Sequence, residues 1–67
     1  MLSGRDVRKA LGRIGFVKVG QTGSHVRLKR PNGRIVMVPE HAEIAVGTLR
    51  SIIRQAGLTQ DGFLRLL

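Results

Sequence analysis

The tripeptide Pro31-Asn32-Gly33 constrains the fold of this chain more than any other feature of its sequence. Asn followed by Gly is typical of a tight β-hairpin turn. The preceding segment, Ser24–Arg30, alternates in polarity, and the following segment, Arg34–Val38, is rich in β-branched residues. Pro39 should end the second strand because proline has no N–H to donate. The sequence therefore predicts an antiparallel pair of strands.

A third strand is predicted before this hairpin, over Phe16–Val19. Gly20-Gln21-Thr22-Gly23 should form the turn that follows it, since two glycines supply the positive φ of a tight reversal. The segment Glu40–Val46 has no clean hydrophobic period and is predicted to be a loop.

Helices are predicted on both sides of the strands. Ser3 and Asp6 resemble a capping box at the start of a helix over Gly4–Ile14. A second helix should open at Gly47-Thr48 and stop at Gly57, and Thr59 can cap a short last helix. The apolar residues predicted to face the core are Val7, Ala10, Leu11 and Ile14 in the first helix, Leu49, Ile52, Ile53 and Ala56 in the second, and Phe63, Leu64 and Leu67 in the last.

These elements predict an α+β fold with the order α-β-β-β-α and a short C-terminal helix. The three strands should form an antiparallel sheet with the helices on one face and the other face open to solvent. A chain of 67 residues has room for one core, so residues 1–67 are predicted to form a single domain.

The charge of the chain predicts a polyanionic partner. Twelve Lys and Arg residues against four Asp and Glu residues give a net charge of +8. Two Phe residues, with no Trp or Tyr, argue against a surface that stacks unpaired bases.

The absence of Cys excludes disulfides and thiolate zinc sites. The longest apolar run, Ile35–Val38, is too short to span a membrane, so we expect a soluble cytoplasmic protein.

The second predicted strand carries the residues best suited to chemistry. Strand periodicity places His25, Arg27 and Lys29 side by side on the open face of the sheet. An imidazole among cations is a nuclease-like arrangement, because the cations attract a phosphate and the imidazole can accept a proton. The alternative interpretation is an ordinary surface histidine.

The second histidine, His41, lies in the predicted loop between Glu40 and Glu43. A metal site there would need a third converging ligand, and none has recognisable spacing, so no metal is predicted. His41 is interpreted either as a loop residue that bonds locally or as a secondary acid.

Two groups of basic residues lie on the predicted helices. Arg50 and Arg54 are spaced i, i+4 near the free N–H groups of Gly47-Thr48, a combination suited to phosphate. The alternative interpretation of Arg50 and Arg54 is a solvated basic face. For the cations of the first helix, a solvated face and contact with RNA are both open. Those cations are Arg5, Arg8, Lys9 and Arg13.

Taken together, several short motifs resemble the HicA family of toxin ribonucleases. They are Gly15-Phe16, Gly23-Ser24-His25, Pro31-Asn32-Gly33-Arg34, Val38-Pro39-Glu40-His41 and the run Gly47–Leu58. The resemblance implies a fold like the double-stranded RNA-binding domain, cleavage of mRNA without a metal or cofactor, and neutralisation by a HicB antitoxin. It also implies that His25 is the catalytic histidine. Val26 departs from the polar or aromatic residue common in relatives, which affects the expected substrate preference.

The resemblance and the charge pattern predict the same reaction. A base removes the proton of a ribose 2′-OH, the oxygen attacks the adjacent phosphorus, and cations stabilise the charge that develops. The donor of a proton to the leaving 5′-oxygen stays open between protonated His25, water and His41. The predicted RNA-binding residues are Ser24, Arg27, Lys29, Arg50 and Arg54.

Two other functions are alternatives to a nuclease. A non-catalytic double-stranded RNA-binding module would need only the same fold and charge, but would leave His25 without a task. DNA binding through the second helix lacks the paired helix-turn-helix pattern.

Overall fold

The computed structural model describes residues 1–67. Its elements are α1 (Gly4–Gly12), β1 (Val17–Thr22), β2 (His25–Lys29), β3 (Ile35–Pro39), α2 (Val46–Gln55) and α3 (Gln60–Leu64). The strands form one antiparallel sheet in the order β1-β2-β3. This order confirms the α+β fold predicted from the sequence. None of the helices has the length and hydropathy needed to cross a membrane.

The core lies on one face of the sheet. Val26 and Leu28 of β2 and Val36 and Val38 of β3 are buried, because alternate strand residues point to the same side. They pack against the buried residues of the helices, and the opposite face of the sheet is left to solvent. The whole core cluster is Val7, Ala10, Leu11, Phe16, Val26, Leu28, Val36, Val38, Ile44, Ile52, Ile53, Ala56 and Phe63.

Strand β1 is longer than predicted, and the predicted turn over Gly20–Gly23 is wrong. The strand continues to Thr22, and only Gly23 and Ser24 form the turn. Gly23 has a φ of +57°, whereas Gly20 stays in the strand opposite Arg27. A bulge after Lys18 absorbs one residue of the register, so a glycine that suggested a turn marks an irregular strand instead.

The other two strands differ from their predicted bounds only at the ends. Strand β2 is His25–Lys29 rather than Ser24–Arg30. Strand β3 is Ile35–Pro39 rather than Arg34–Val38, and Pro39 is its last residue, opposite His25. Proline is tolerated there because no further ladder N–H is required of it.

A capping box begins α1 as predicted. The Ser3 hydroxyl accepts from the Asp6 N–H at 3.1 Å, and the Asp6 carboxylate accepts from the Ser3 N–H at 3.0 Å. The hydrogen bond from the Ser3 N–H to the carboxylate, with a smaller contribution from the Ser3 hydroxyl, holds the pKa of Asp6 below its ordinary value. The helix ends at Gly12 rather than at Ile14, because the next residues form only tighter turns before Gly15 reverses the chain at a φ of +97°.

Helix α1 docks directly on the segment that leaves β3. Gly4 is buried, and a Cβ there would overlap the carbonyl oxygen of Pro39. The Gly4 N–H donates to the His41 carbonyl at 2.9 Å. Only glycine permits this approach, which ties the start of α1 to the end of the sheet that carries His25.

Helix α2 begins at Val46, so the predicted loop over Glu40–Val46 is one residue too long. The cap residue Ala45 offers no side-chain acceptor. At the other end, Gly57 adopts a φ of +73° and terminates the helix as predicted. The side chain of Gln55 accepts from the Met37 N–H at 3.1 Å, so α2 also covers part of the outer edge of β3.

Helix α3 is capped by Thr59, whose hydroxyl accepts from the Gly62 N–H at 3.0 Å. Phe63 is fully buried, as predicted. The prediction that Leu64 and Leu67 face the core is wrong, since they are 49% and 51% exposed. Leu66 packs against the core instead, because the short helix ends before a regular period can bring Leu67 inward.

Candidate active site

Three basic side chains form a row along the open face of β2. We call His25, Arg27 and Lys29 the basic row. All three are exposed, and the residues between them are buried on the opposite face. Successive members of the row are about 7 Å apart along the strand. The sheet therefore presents an imidazole and two cations in a line that a polyanionic chain can follow.

The neighbouring strands determine which residues lie beside His25 and Arg27. His25 lies between Thr22 of β1 and Pro39 of β3. Arg27 lies opposite Gly20, and a Cβ at that glycine would be 3.3 Å from the Arg27 guanidinium. The missing side chain at position 20 thus leaves the guanidinium room to lie across β1. The sequence does not single out Thr22, because it falls in the predicted turn; only a β1 extended to Thr22 places it beside His25.

Two other predicted site residues lie at the same end of the sheet as His25. Ser24 is exposed in the turn directly before His25, and its carbonyl accepts from the Glu40 N–H at 2.6 Å. His41 is exposed and follows Pro39, the cross-strand partner of His25, by two residues. The structure therefore brings Ser24 and the segment carrying His41 to the end of β2 where the histidine stands.

The acidic residue next to His41, Glu40, pairs with an arginine and does not converge with other ligands on a metal. Glu40 forms an ion pair with Arg8 of α1, through the Arg8 Nε and the Glu40 carboxylate. Arg8 keeps 30% of its side chain exposed, but the contact with Glu40 partly covers it. The other three cations of that helix, Arg5, Lys9 and Arg13, are exposed as predicted. No three His, Asp or Glu side chains converge anywhere in the chain.

Arg50 and Arg54 are not part of this site. Both line a groove between α2 and α3, in the helical layer that covers the other face of the sheet. The first turn of α2 contains no acidic residue that would pair with them. The i, i+4 spacing correctly predicted that they share one side of the helix, but the sequence contained no signal that this side is turned away from the basic row.

The fold and this surface define a small basic α+β protein whose open sheet face carries a histidine between a turn and a row of cations. Residues 4–58 match the family described as the HicA toxin of bacterial toxin-antitoxin systems. The match spans most of the 67 residues, and the chain belongs to the HicA toxin family. No curated protein matches the chain. As a member of this family the protein is the toxin of a toxin-antitoxin system.

Proposed function

We propose that this toxin is a metal-independent endoribonuclease that cleaves mRNA in the cytoplasm and uses His25 as its general base. The observation that carries the proposal is the basic row, in which an exposed imidazole stands at the head of two exposed cations on an otherwise open face. RNA laid along β2 would place one phosphate against the cations and the adjacent ribose near His25.

The proposed reaction is a transesterification. His25 removes the proton from the ribose 2′-OH, and the 2′-oxygen attacks the neighbouring phosphorus while the bond to the 5′-oxygen breaks. Arg27 and Lys29 stabilise the negative charge that builds on the phosphate oxygens. The leaving 5′-oxygen takes a proton from His25, now protonated, from water or from His41. The products are a 2′,3′-cyclic phosphate and a 5′-hydroxyl.

Ser24 completes the proposed RNA surface at the head of the row. It is exposed next to His25, and the hydrogen bond from Glu40 to its carbonyl holds the turn in place. A hydroxyl at this point can donate to a phosphate oxygen of the same RNA. Thr22, opposite His25 on β1, offers a second hydroxyl on the same side.

Replacing Arg27 and Lys29 together by Gln should lower the cleavage rate about 100-fold, since donors at a developing oxyanion typically contribute on that scale. RNA affinity should fall by less than about tenfold, because the remaining cations still bind the backbone. The measurement is single-turnover cleavage alongside the Kd for an uncleavable RNA. As a matched control, Arg5 in α1 and Arg13, the residue that caps its C-terminus, are changed to Gln with the same loss of charge. Equal losses of cleavage and affinity in the basic-row variant would assign Arg27 and Lys29 to general backbone contact.

The antitoxin of this system is proposed to be a HicB-like protein that covers the basic row. An acidic surface laid over His25, Arg27 and Lys29 would exclude RNA directly, and complementary charge would make the association fast. The alternative is that the antitoxin grips α1 through its exposed cations. The ion pair with Glu40 disfavours this alternative in part, because it removes Arg8 from the cations free to bind.

A further inference from the structure

The largest concave surface of the protein lies between α2 and α3, away from the basic row. We call it the α2–α3 groove. Its volume is about 370 Å³, and buried Phe63 forms its floor. The groove is lined by Val46, Leu49, Arg50, Ile53, Arg54, Leu58, Gln60, Phe63 and Leu64. Six of these residues are hydrophobic, so the groove suits apolar side chains.

The walls of the groove expose apolar surface that the fold itself leaves uncovered. Val46 on α2 is 66% exposed, and Leu64 on α3 is 49% exposed. An apolar side chain placed between them would remove surface of both residues from water, which favours binding in proportion to the area buried. The groove is therefore a place for anchoring residues of a partner.

The rim of the groove carries positive charge without a counterion. Arg50 and Arg54 are one helical turn apart on α2, both are exposed, and neither forms a salt bridge. No acidic residue lines the groove. A partner that fits both the charge and the apolar walls carries Asp or Glu beside Leu, Ile or Phe, which is the pattern of an acidic amphipathic segment.

RNA fits this groove less well than protein. Phosphates would gain from Arg50 and Arg54 but nothing from the aliphatic walls. Bases bind proteins by stacking on exposed aromatic rings, and the one ring here, Phe63, is fully buried. One wall of the groove is formed by α3, which lies outside residues 4–58, the part of the chain that matches the family.

We propose that the α2–α3 groove is a second docking site for the antitoxin of this system and binds an acidic amphipathic segment of it. The site lies on the helical side of the protein, so a segment held there does not touch His25. The proposal rests on the toxin-antitoxin membership of the chain and on the proposed binding of the antitoxin to the basic row, and not on nuclease chemistry. It makes the antitoxin a two-site ligand, in which the groove retains the partner and another part of it reaches the sheet.

The test measures the Kd of the purified toxin for the antitoxin encoded with it, in the absence of RNA. Leu64→Ser should raise the Kd at least about tenfold, because it removes one apolar wall. Leu67→Ser is the matched control, since Leu67 is equally exposed at 51% but lies outside the groove, and it should change the Kd less than about twofold. Both leucines are on the surface, and equal thermal midpoints would verify that both variants are folded.

A second pair of variants tests the charged rim. Arg50→Glu with Arg54→Glu should weaken antitoxin binding about 100-fold. Arg5→Glu with Arg13→Glu, the same charge change at the two ends of α1, should weaken it by less than about tenfold. Equal effects within each pair would overturn the proposal. It would also be overturned if the groove variants weakened only the binding of a probe RNA, or if the toxin alone were a dimer that Leu64→Ser dissociates.

Discussion

Replacing His25 by Ala is expected to lower the rate of RNA cleavage by about 10²–10⁴ and to abolish growth arrest by the toxin. The expectation follows from the loss of a general base, which typically contributes a factor of this size. His25 is exposed and makes no side-chain hydrogen bond within the protein, so its removal should leave the fold unchanged. RNA affinity should stay near that of the wild type, because the net charge and the cations of the row remain.

The second histidine supplies the control for this experiment. His41→Ala also removes an exposed imidazole, from the segment that follows β3. A loss of less than about tenfold would exclude His41 as the donor to the leaving oxygen, and a larger loss would assign it that role. Cleavage by His25→Ala within a few-fold of the wild type would contradict the assignment of His25. That result would assign the general base to another residue. Absence of cleavage by the wild-type protein itself would favour the non-catalytic RNA-binding module.

Replacing Phe63 by Ala is expected to lower the free energy of unfolding by about 3–5 kcal/mol, the usual cost of deleting a buried aromatic ring. Phe63 is fully buried and connects α3 to the rest of the core. A chain of 67 residues has a total stability on the order of 3–10 kcal/mol, so the loss removes a large share of it. Chemical denaturation followed by circular dichroism measures the change.

The adjacent residue provides the comparison for Phe63. Leu64→Ala removes a side chain that is half exposed and should cost less than about 1 kcal/mol. If Phe63→Ala were no more destabilising than Leu64→Ala, α3 would not belong to the cooperative core. The α2–α3 groove would then not be a stable part of the fold.

The fold was predictable where local signals agreed with one another. The turn at Pro31-Asn32-Gly33, the alternation of β2 and the Ser3–Asp6 capping box each rest on short-range chemistry, and the structure confirms all three. The course of β1 was not predictable in the same way. Gly20 satisfies a turn and a bulged strand equally well, and pairing with β2, a tertiary interaction, decides between them.

The candidate site was predictable in part for a similar reason. Strand periodicity alone places His25, Arg27 and Lys29 on one face, because that placement needs no knowledge of other elements. The pairing of Arg8 with Glu40 and the separation of Arg50 from the sheet depend on how the helices pack. Both features arise from contacts between residues far apart in the sequence, and no local pattern predicts such contacts.

The most direct test of the proposed chemistry uses a synthetic RNA with a single 2′-deoxynucleotide at the cleavage position, incubated with the toxin in EDTA. Attack by the 2′-oxygen predicts that the all-ribose RNA is cut to a 2′,3′-cyclic phosphate and a 5′-hydroxyl, and that the substituted RNA is not cut at that position. A deoxynucleotide one position away should leave cleavage intact. Cleavage at the deoxynucleotide, products with a 3′-hydroxyl and a 5′-phosphate, or activity lost in EDTA and restored by Mg²⁺ would contradict the account.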